Sequence, residues 1–274
     1  MKRYLFLSDV DGTLVNGDVL PDREVVRAAE EFRMAGGLLA LCTGRGAAAA
    51  EPVARVIGVN APCVLFGGAL LYDFQMEEIL WSCPFSTGIL ERMEQLLAEF
   101  PGLSLQALTA RESFVLRRNA MLDVKGVKAE NQGAERKLSE IRDPVLKLVL
   151  CGESREELAA SKRCFPDGLC RFSFASRHFV DIVSGETGKE RAMEELARRL
   201  DVPLARCLCA GDGMTDLPML ERAGMAYVPE NAPEAVRAAA GLVIPRAEAG
   251  GMSMAFRHGA YWMSMEGTVI KHIF

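Results

Sequence analysis

Three apolar runs divide the chain, and each ends abruptly in polar residues. Tyr4-Leu5-Phe6-Leu7 runs into Ser8-Asp9-Val10-Asp11-Gly12-Thr13-Leu14, Leu38-Leu39-Ala40-Leu41-Cys42 into Thr43-Gly44-Arg45, and Cys207-Leu208-Cys209-Ala210 into Gly211-Asp212-Gly213-Met214-Thr215-Asp216. Short runs with no alternation fit strands covered on both faces, as in a parallel sheet. Amphipathic stretches between them predict helices. Pro21-Asp22 opens one that Gly36-Gly37 stops. A second runs from Ala47 to Ile57, and a third opens at Thr187-Gly188-Lys189 and ends near Leu200. Strands are expected at Cys63–Phe66, Ala69–Tyr72 and Met225–Val228, short helices at Leu217–Ala223 and before Ala240, and a helical tail at Gly250–Phe274. Alternating strands and helices predict an α/β domain built on a Rossmann-like parallel sheet.

The rhythm changes near Cys83-Pro84. A helix is expected over Ser86–Phe100, strands at Leu103–Leu108 and Ser113–Arg117, and a Lys- and Glu-rich helix from Lys128 to Ile141. There follow a strand at Leu146–Cys151, a helix from Ser154 to Cys164, and strands at Cys170–Ala175 and Phe179–Val183. This pattern predicts an inserted α+β domain over residues 83–184. The core is then 1–82 with 185–274.

Composition changes this picture little. The chain has 274 residues, half of them hydrophobic and a quarter charged, which suits one large or two modest globular domains. A net charge of −5 argues against general binding to nucleic acid or anionic membranes. No apolar run is long enough to span a bilayer. The first run meets Asp9 and Asp11 too soon for a signal peptide, so a cytoplasmic location is expected. Eight cysteines lie scattered with no Cys-x-x-Cys pair, and His178, His258 and His272 form no ligand pattern. Both sets read as structural.

The chemistry lies at the run ends. Asp9 and Asp11 stand two apart on an extended segment and so face one site. Crowded carboxylates keep their charge if a hard cation sits between them; otherwise one takes up a proton. Both outcomes suit phosphoryl transfer. An EF-hand loop starting at Asp9 fails at Thr13 and Leu14, a P-loop over 183–190 fails at Val183 and Glu190, and Asp216 replaces the third glycine of a dinucleotide fingerprint. In open parallel sheets ligands bind beyond the carboxyl ends of the strands, so three polar clusters at three such ends converge on one crevice.

In order and type these clusters resemble the four motifs of the haloacid dehalogenase-like (HAD) phosphohydrolases. The room for a domain between Thr43 and Lys189 resembles the C2-capped, Cof-like (IIB) branch. That resemblance implies Asp9 as nucleophile, Asp11 as general acid/base, and Thr43 and Lys189 as the groups holding the phosphoryl oxygens, with help from Gly44 and Asn231. It also implies Mg²⁺ held by Asp9, Asp212 and the Asp11 carbonyl, with Asp216 behind them. The substrate would be a small phosphorylated metabolite, such as a sugar phosphate, cleaved through an aspartyl-phosphate by a monomer or homodimer. Specificity would lie partly on the cap, with Arg117, Arg177 and His178 as candidates. Gly67 and Thr215 depart from the branch pattern, which has Asn at both places, and this bears on substrate choice. A phosphomannomutase-like enzyme and a non-catalytic phosphometabolite-binding protein are the alternatives, and the intact Asp9, Asp11, Lys189 and Asp212 argue against the second.

Overall fold

The computed structural model describes residues 3–17, 19–86, 88–125 and 133–269. The chain separates into two compact units. One comprises Met1–Gly44, Ala50–Leu80 and Gly188–Phe274; the other comprises Arg45–Ala49 and Trp81–Thr187.

The first unit is built on strands β1 (Leu5–Ser8), β2 (Leu38–Leu41), β11 (Cys207–Ala210), β12 (Met225–Pro229) and β13 (Leu242–Ile244). They form a parallel sheet in the order β13-β12-β11-β1-β2. Strand β1 therefore lies between the other two apolar runs, in register Ser8 to Ala210 on one side and Ser8 to Leu41 on the other. Helices α1 (Arg23–Met34), α2 (Ala47–Ile57), α6 (Lys189–Arg199), α7 (Leu217–Leu220), α8 (Glu234–Arg237) and α9 (Gly251–Val269) complete the α/β pattern. Phe6 on β1 anchors the core, stacked 5.4 Å from Tyr227 and in contact with Phe32 of α1 and Phe256 of α9. Helix α1 starts where Asp22 caps it: one carboxylate oxygen accepts the amides of Glu24 and Val25.

Beside this sheet, β3 (Cys63–Leu65), β4 (Leu70–Asp73) and β5 (Glu78–Ser82) form a small three-stranded sheet. The pair β3 and β4 runs antiparallel about a turn at Phe66–Gly68. The sequence pattern did not predict β5 or β13, which are short and only partly buried.

The second unit carries a five-stranded antiparallel sheet, β7-β6-β8-β10-β9, from β6 (Ser104–Leu108), β7 (Ser113–Arg117), β8 (Lys147–Cys151), β9 (Cys170–Phe174) and β10 (Phe179–Ser184). Helices α3 (Ile89–Glu99), α4 (Ala120–Lys125) and α5 (Arg155–Ala160) belong to it. One sheet face meets α3 and α5 through Met93, Leu96, Leu150, Leu158 and Ile182. The helix expected over 128–141 is not formed in its described part. Residues 126–132 lie outside the described residues. Beyond them, Gly133 takes φ +117, Glu135 bridges to Val115, and only Leu138–Glu140 makes a helical turn, of the 3-10 type. High Lys and Glu content favours helix only weakly, and here a left-handed glycine and a bridge to β7 override it.

All eight cysteines are free thiols, six of them buried. Burial pushes Cys63, Cys170 and Cys207 up to about 12, which suppresses the reactive thiolate. Among the described residues no helix is long and apolar enough to cross a membrane.

Replacing Asp22 by Ala leaves two amides at the start of α1 without their acceptor. The expected loss is about 1 kcal/mol of stability, and thermal melting should show it as a fall of roughly 2–4 °C.

Candidate active site

Strand order brings the run ends together. The Asp9 amide donates to Ala210 O (2.9 Å) and the Cys42 amide to Ser8 O (2.7 Å), so the chain leaves β1, β2 and β11 at one edge of the sheet. After Ser8 the loop closes on itself: the Leu14 and Val15 amides donate to Val10 O, and Gly12 donates to Val15 O. The turn needs φ +89 at Gly12, and a Cβ there would fall inside the Asp212 carboxylate. Thr13 turns its hydroxyl inward and donates to Asp212 Oδ1 at 2.8 Å.

Lys189 stands at the first position of α6, 4 % exposed. Its ammonium lies 2.7 Å from Asp9 Oδ1 and 2.5 Å from Asp216 Oδ1. The other Asp216 oxygen accepts the Gly213 amide at 2.9 Å, which fixes that carboxylate toward the lysine. Gly68 permits the approach of α6, because a Cβ at its φ of +107 would overlap the Gly188 carbonyl and crowd the Lys189 amide.

These contacts set the charges. Burial pushes Asp9 up to about 7, against the pull of Lys189, and Asp216 and Asp212 add to the rise. Burial also raises Asp212, partly offset by the Thr13 hydrogen bond. For Lys189 burial works against the ammonium, but Asp216 and Asp9 outweigh it and hold the group well above the usual lysine range. Carboxylate oxygens of Asp9, Asp212 and Asp216 all lie within 4.8 Å of one another. Three acids face one buried ammonium, and burial resists the ionisation of Asp9 and Asp212. That donor set fits a small divalent cation with oxygen ligands. Because Asp216 is committed to Lys189 and Gly213, Asp9 and Asp212 are the carboxylates suited to hold it.

Other expected residues fall around this cluster. Thr43 is fully buried at the end of β2, its amide donating to Val64 O and its carbonyl accepting the Gly67 amide. The Thr43 amide is thus committed to the fold. Gly44 follows it. The Asp11 side chain is exposed and lies outside the three-acid cluster. Asn231 and Thr215 stand in exposed turns. Gly67 takes φ +65, and a Cβ placed on it would meet nothing within 4 Å, so an asparagine, which tolerates that region, would find no obstacle. In the second unit Arg117 donates to Phe100 O and Leu97 O at the end of α3, a helix-capping role. Arg177 is exposed, and His178 sits 3.1 Å from Gly152 O. Sequence reasoning missed Thr13 as the partner of Asp212; a hydroxyl two residues beyond Asp11 was its only signal.

A haloacid dehalogenase-like hydrolase family model matches residues 6–256, and the chain belongs to that family. The motifs at the run ends are therefore those of this family. Similar proteins include the pyridoxal phosphate phosphatase YbhA of Escherichia coli, 23% identical over 89% of this chain and 94% of that protein. The fold is similar to that of a haloacid dehalogenase-like hydrolase from Bacteroides thetaiotaomicron, with a TM-score of 0.81 at 20% identity over 94% of this chain and 99% of that one. It is also similar to the HAD subclass IIB sugar phosphatase BT4131, with a TM-score of 0.79 at 19% identity over 93% and 98% of the two chains.

The raised Asp9 carboxyl has a signed consequence for the metal-free protein. Between the ordinary value of 3.8 and about 7, the folded chain holds a proton that the unfolded chain has lost. Stability from this group is therefore lost as pH rises through that window and stays low above it. In EDTA, Asp9→Asn should raise the melting temperature by several degrees at pH 8 and leave it nearly unchanged at pH 4. A variant that melts below wild type at pH 8 would contradict this.

Proposed function

We propose that the chain is a Mg²⁺-dependent phosphatase of small phosphorylated metabolites, with Asp9 as its nucleophile. The observation that carries this is the buried Lys189 ammonium between Asp9 and Asp216, with Asp212 beside them, at the ends of adjacent parallel strands. The family supports a hydrolase, and the pyridoxal phosphate and sugar phosphatases among the similar proteins support a small phosphate ester. The domain reading goes with it: residues 83–184 are a cap domain inserted in the catalytic core formed by 1–82 and 185–274.

Lys189 fixes Asp9 through Oδ1 and lowers the cost of keeping the carboxylate ionised. An Asp9 oxygen attacks phosphorus; the new O–P bond forms as the bond to the leaving alcohol breaks. Asp11, exposed and outside the three-acid cluster, gives its proton to the alcohol oxygen. It then takes a proton from the water that attacks the aspartyl-phosphate, releasing inorganic phosphate and restoring Asp9. The Lys189 ammonium, the Thr43 hydroxyl and the Gly44 amide hold the phosphoryl oxygens where charge develops. Asp9, Asp212 and the Asp11 carbonyl would hold Mg²⁺, which when bound supplies charge neutralisation at a phosphoryl oxygen. Asp216 positions Lys189.

The test is phosphate release from a panel of phosphorylated sugars, nucleotides and cofactors, without any bisphosphate activator. Asp9→Asn should lower kcat at least about 10³-fold. Asp11→Asn should lower it less with p-nitrophenyl phosphate, whose leaving group needs little protonation. EDTA should abolish turnover and Mg²⁺ restore it. Equal activity of wild type and Asp9→Asn would refute the assignment.

A further inference from the structure

Helix α9 has two apolar faces, and its own unit covers one of them. Met252, Ala255 and Phe256 are buried, Phe256 against Phe6 of β1, and Gly259 lies against Leu208 of β11 and Phe32 of α1. At about 3.6 residues per turn these positions gather on one side of the helix. Met254, His258, Tyr261 and Met265 gather on the opposite side. There Met254 is 43% exposed, Tyr261 61% and Met265 45%.

A helix at a protein surface ordinarily turns charged residues to water, and one that is apolar all round is covered all round. From Gly251 to Met265 the sequence holds one full charge, Arg257. That charge is turned to α1, where it pairs with Glu24 (2.6 Å) and Glu31 (2.9 Å). His258 is held in place as well: its Nδ1 lies 3.0 Å from the Tyr227 hydroxyl, and its ring packs edge-on to Trp262. The outer stripe thus offers a partner thioethers and aromatic rings with no fixed charge.

The spacing of the stripe says what covers it. Its positions are separated by four, three and four residues, the same read from either end. The residue types follow the same symmetry, with methionine at both ends and a ring with a polar atom at each inner position. Two copies of α9 crossing antiparallel on a two-fold axis set Met254 against Met265 and His258 against Tyr261, each pair twice, about one point between Gly259 and Ala260. Such reciprocal contacts are what a two-fold interface requires. Charge agrees with this. The net charge of −5 sets two copies against each other, and the stripe adds nothing to that repulsion. An acidic or basic partner of another kind finds no complementary charge on it.

We propose that the outer stripe of α9 pairs with the same stripe of a second copy, so that the chain forms a two-fold homodimer in solution. This stands independently of the phosphatase reading.

The test is the mass of the full chain by sedimentation equilibrium over roughly 1 to 100 µM. Wild type should approach twice the 29.9 kDa of one chain. Met254→Glu sets a carboxylate against Met265 of the other copy and should weaken the dimer at least about tenfold, because an unpaired charge is costly to bury. Adding Met265→Lys gives that carboxylate an ammonium across the axis, twice over, and should recover most of the loss. Circular dichroism checks the fold of each variant, and Tyr261→Lys, with the same expected weakening, replaces a Met254→Glu chain that does not fold. Wild type that stays at 29.9 kDa throughout overturns the proposal; if that monomer binds phosphatidylcholine vesicles, the stripe belongs to a lipid surface instead. A folded Met254→Glu chain that dimerises as tightly as wild type overturns it too, and so does a double variant as weak as the single one.

Discussion

One buried ammonium holds the acidic edge of the sheet together. Asp9, Asp212 and Asp216 approach within 4.8 Å of one another, in a place where burial already disfavours charge. Without Lys189 the cluster would relax by taking up protons or by moving apart. With it, Asp9 and Asp216 are both pinned to one cation. The surrounding backbone serves that contact. Gly68 lets the first turn of α6 come close, Gly12 clears the space that Asp212 occupies, and the Gly213 amide turns Asp216 toward the lysine. Lys189 cannot do the whole job, because one positive charge faces three acids. The negative charge left over suits a divalent cation with oxygen ligands.

Much of this was legible in the residues, and the reasons differ by element. The three apolar runs announced themselves because parallel strands buried on both faces carry no polar interruption. Asp9 was legible from its place at the end of such a run. Lys189 was not legible on its own: a lysine at a helix start is commonplace, and only the order of the other clusters singled it out. Its burial and its two partners belong to tertiary structure. Thr13 is a similar case, since its reach to Asp212 crosses between loops far apart in sequence. The stretch after α4 failed because charged residues gave a helical impression that Gly133 and the bridge to β7 override. Gln106 escaped notice because one polar residue between leucine and alanine reads as ordinary strand alternation. Only its burial with no partner among the described residues marks it out.

The register of β1 carries a consequence for how this protein can change over time. The strand is only Leu5–Ser8, locked rung by rung to β11 and β2. Side chains on it alternate between two buried faces, so one apolar residue can replace another at modest cost. Loss or gain of a single residue is another matter. It would turn the strand half a period and bring Ser8 or Val10 to the place where Asp9 meets Lys189. Within this segment the chain behaves like a reading frame. It tolerates substitutions and is intolerant of insertions and deletions, whereas the surface turn after β9 has no such frame to keep.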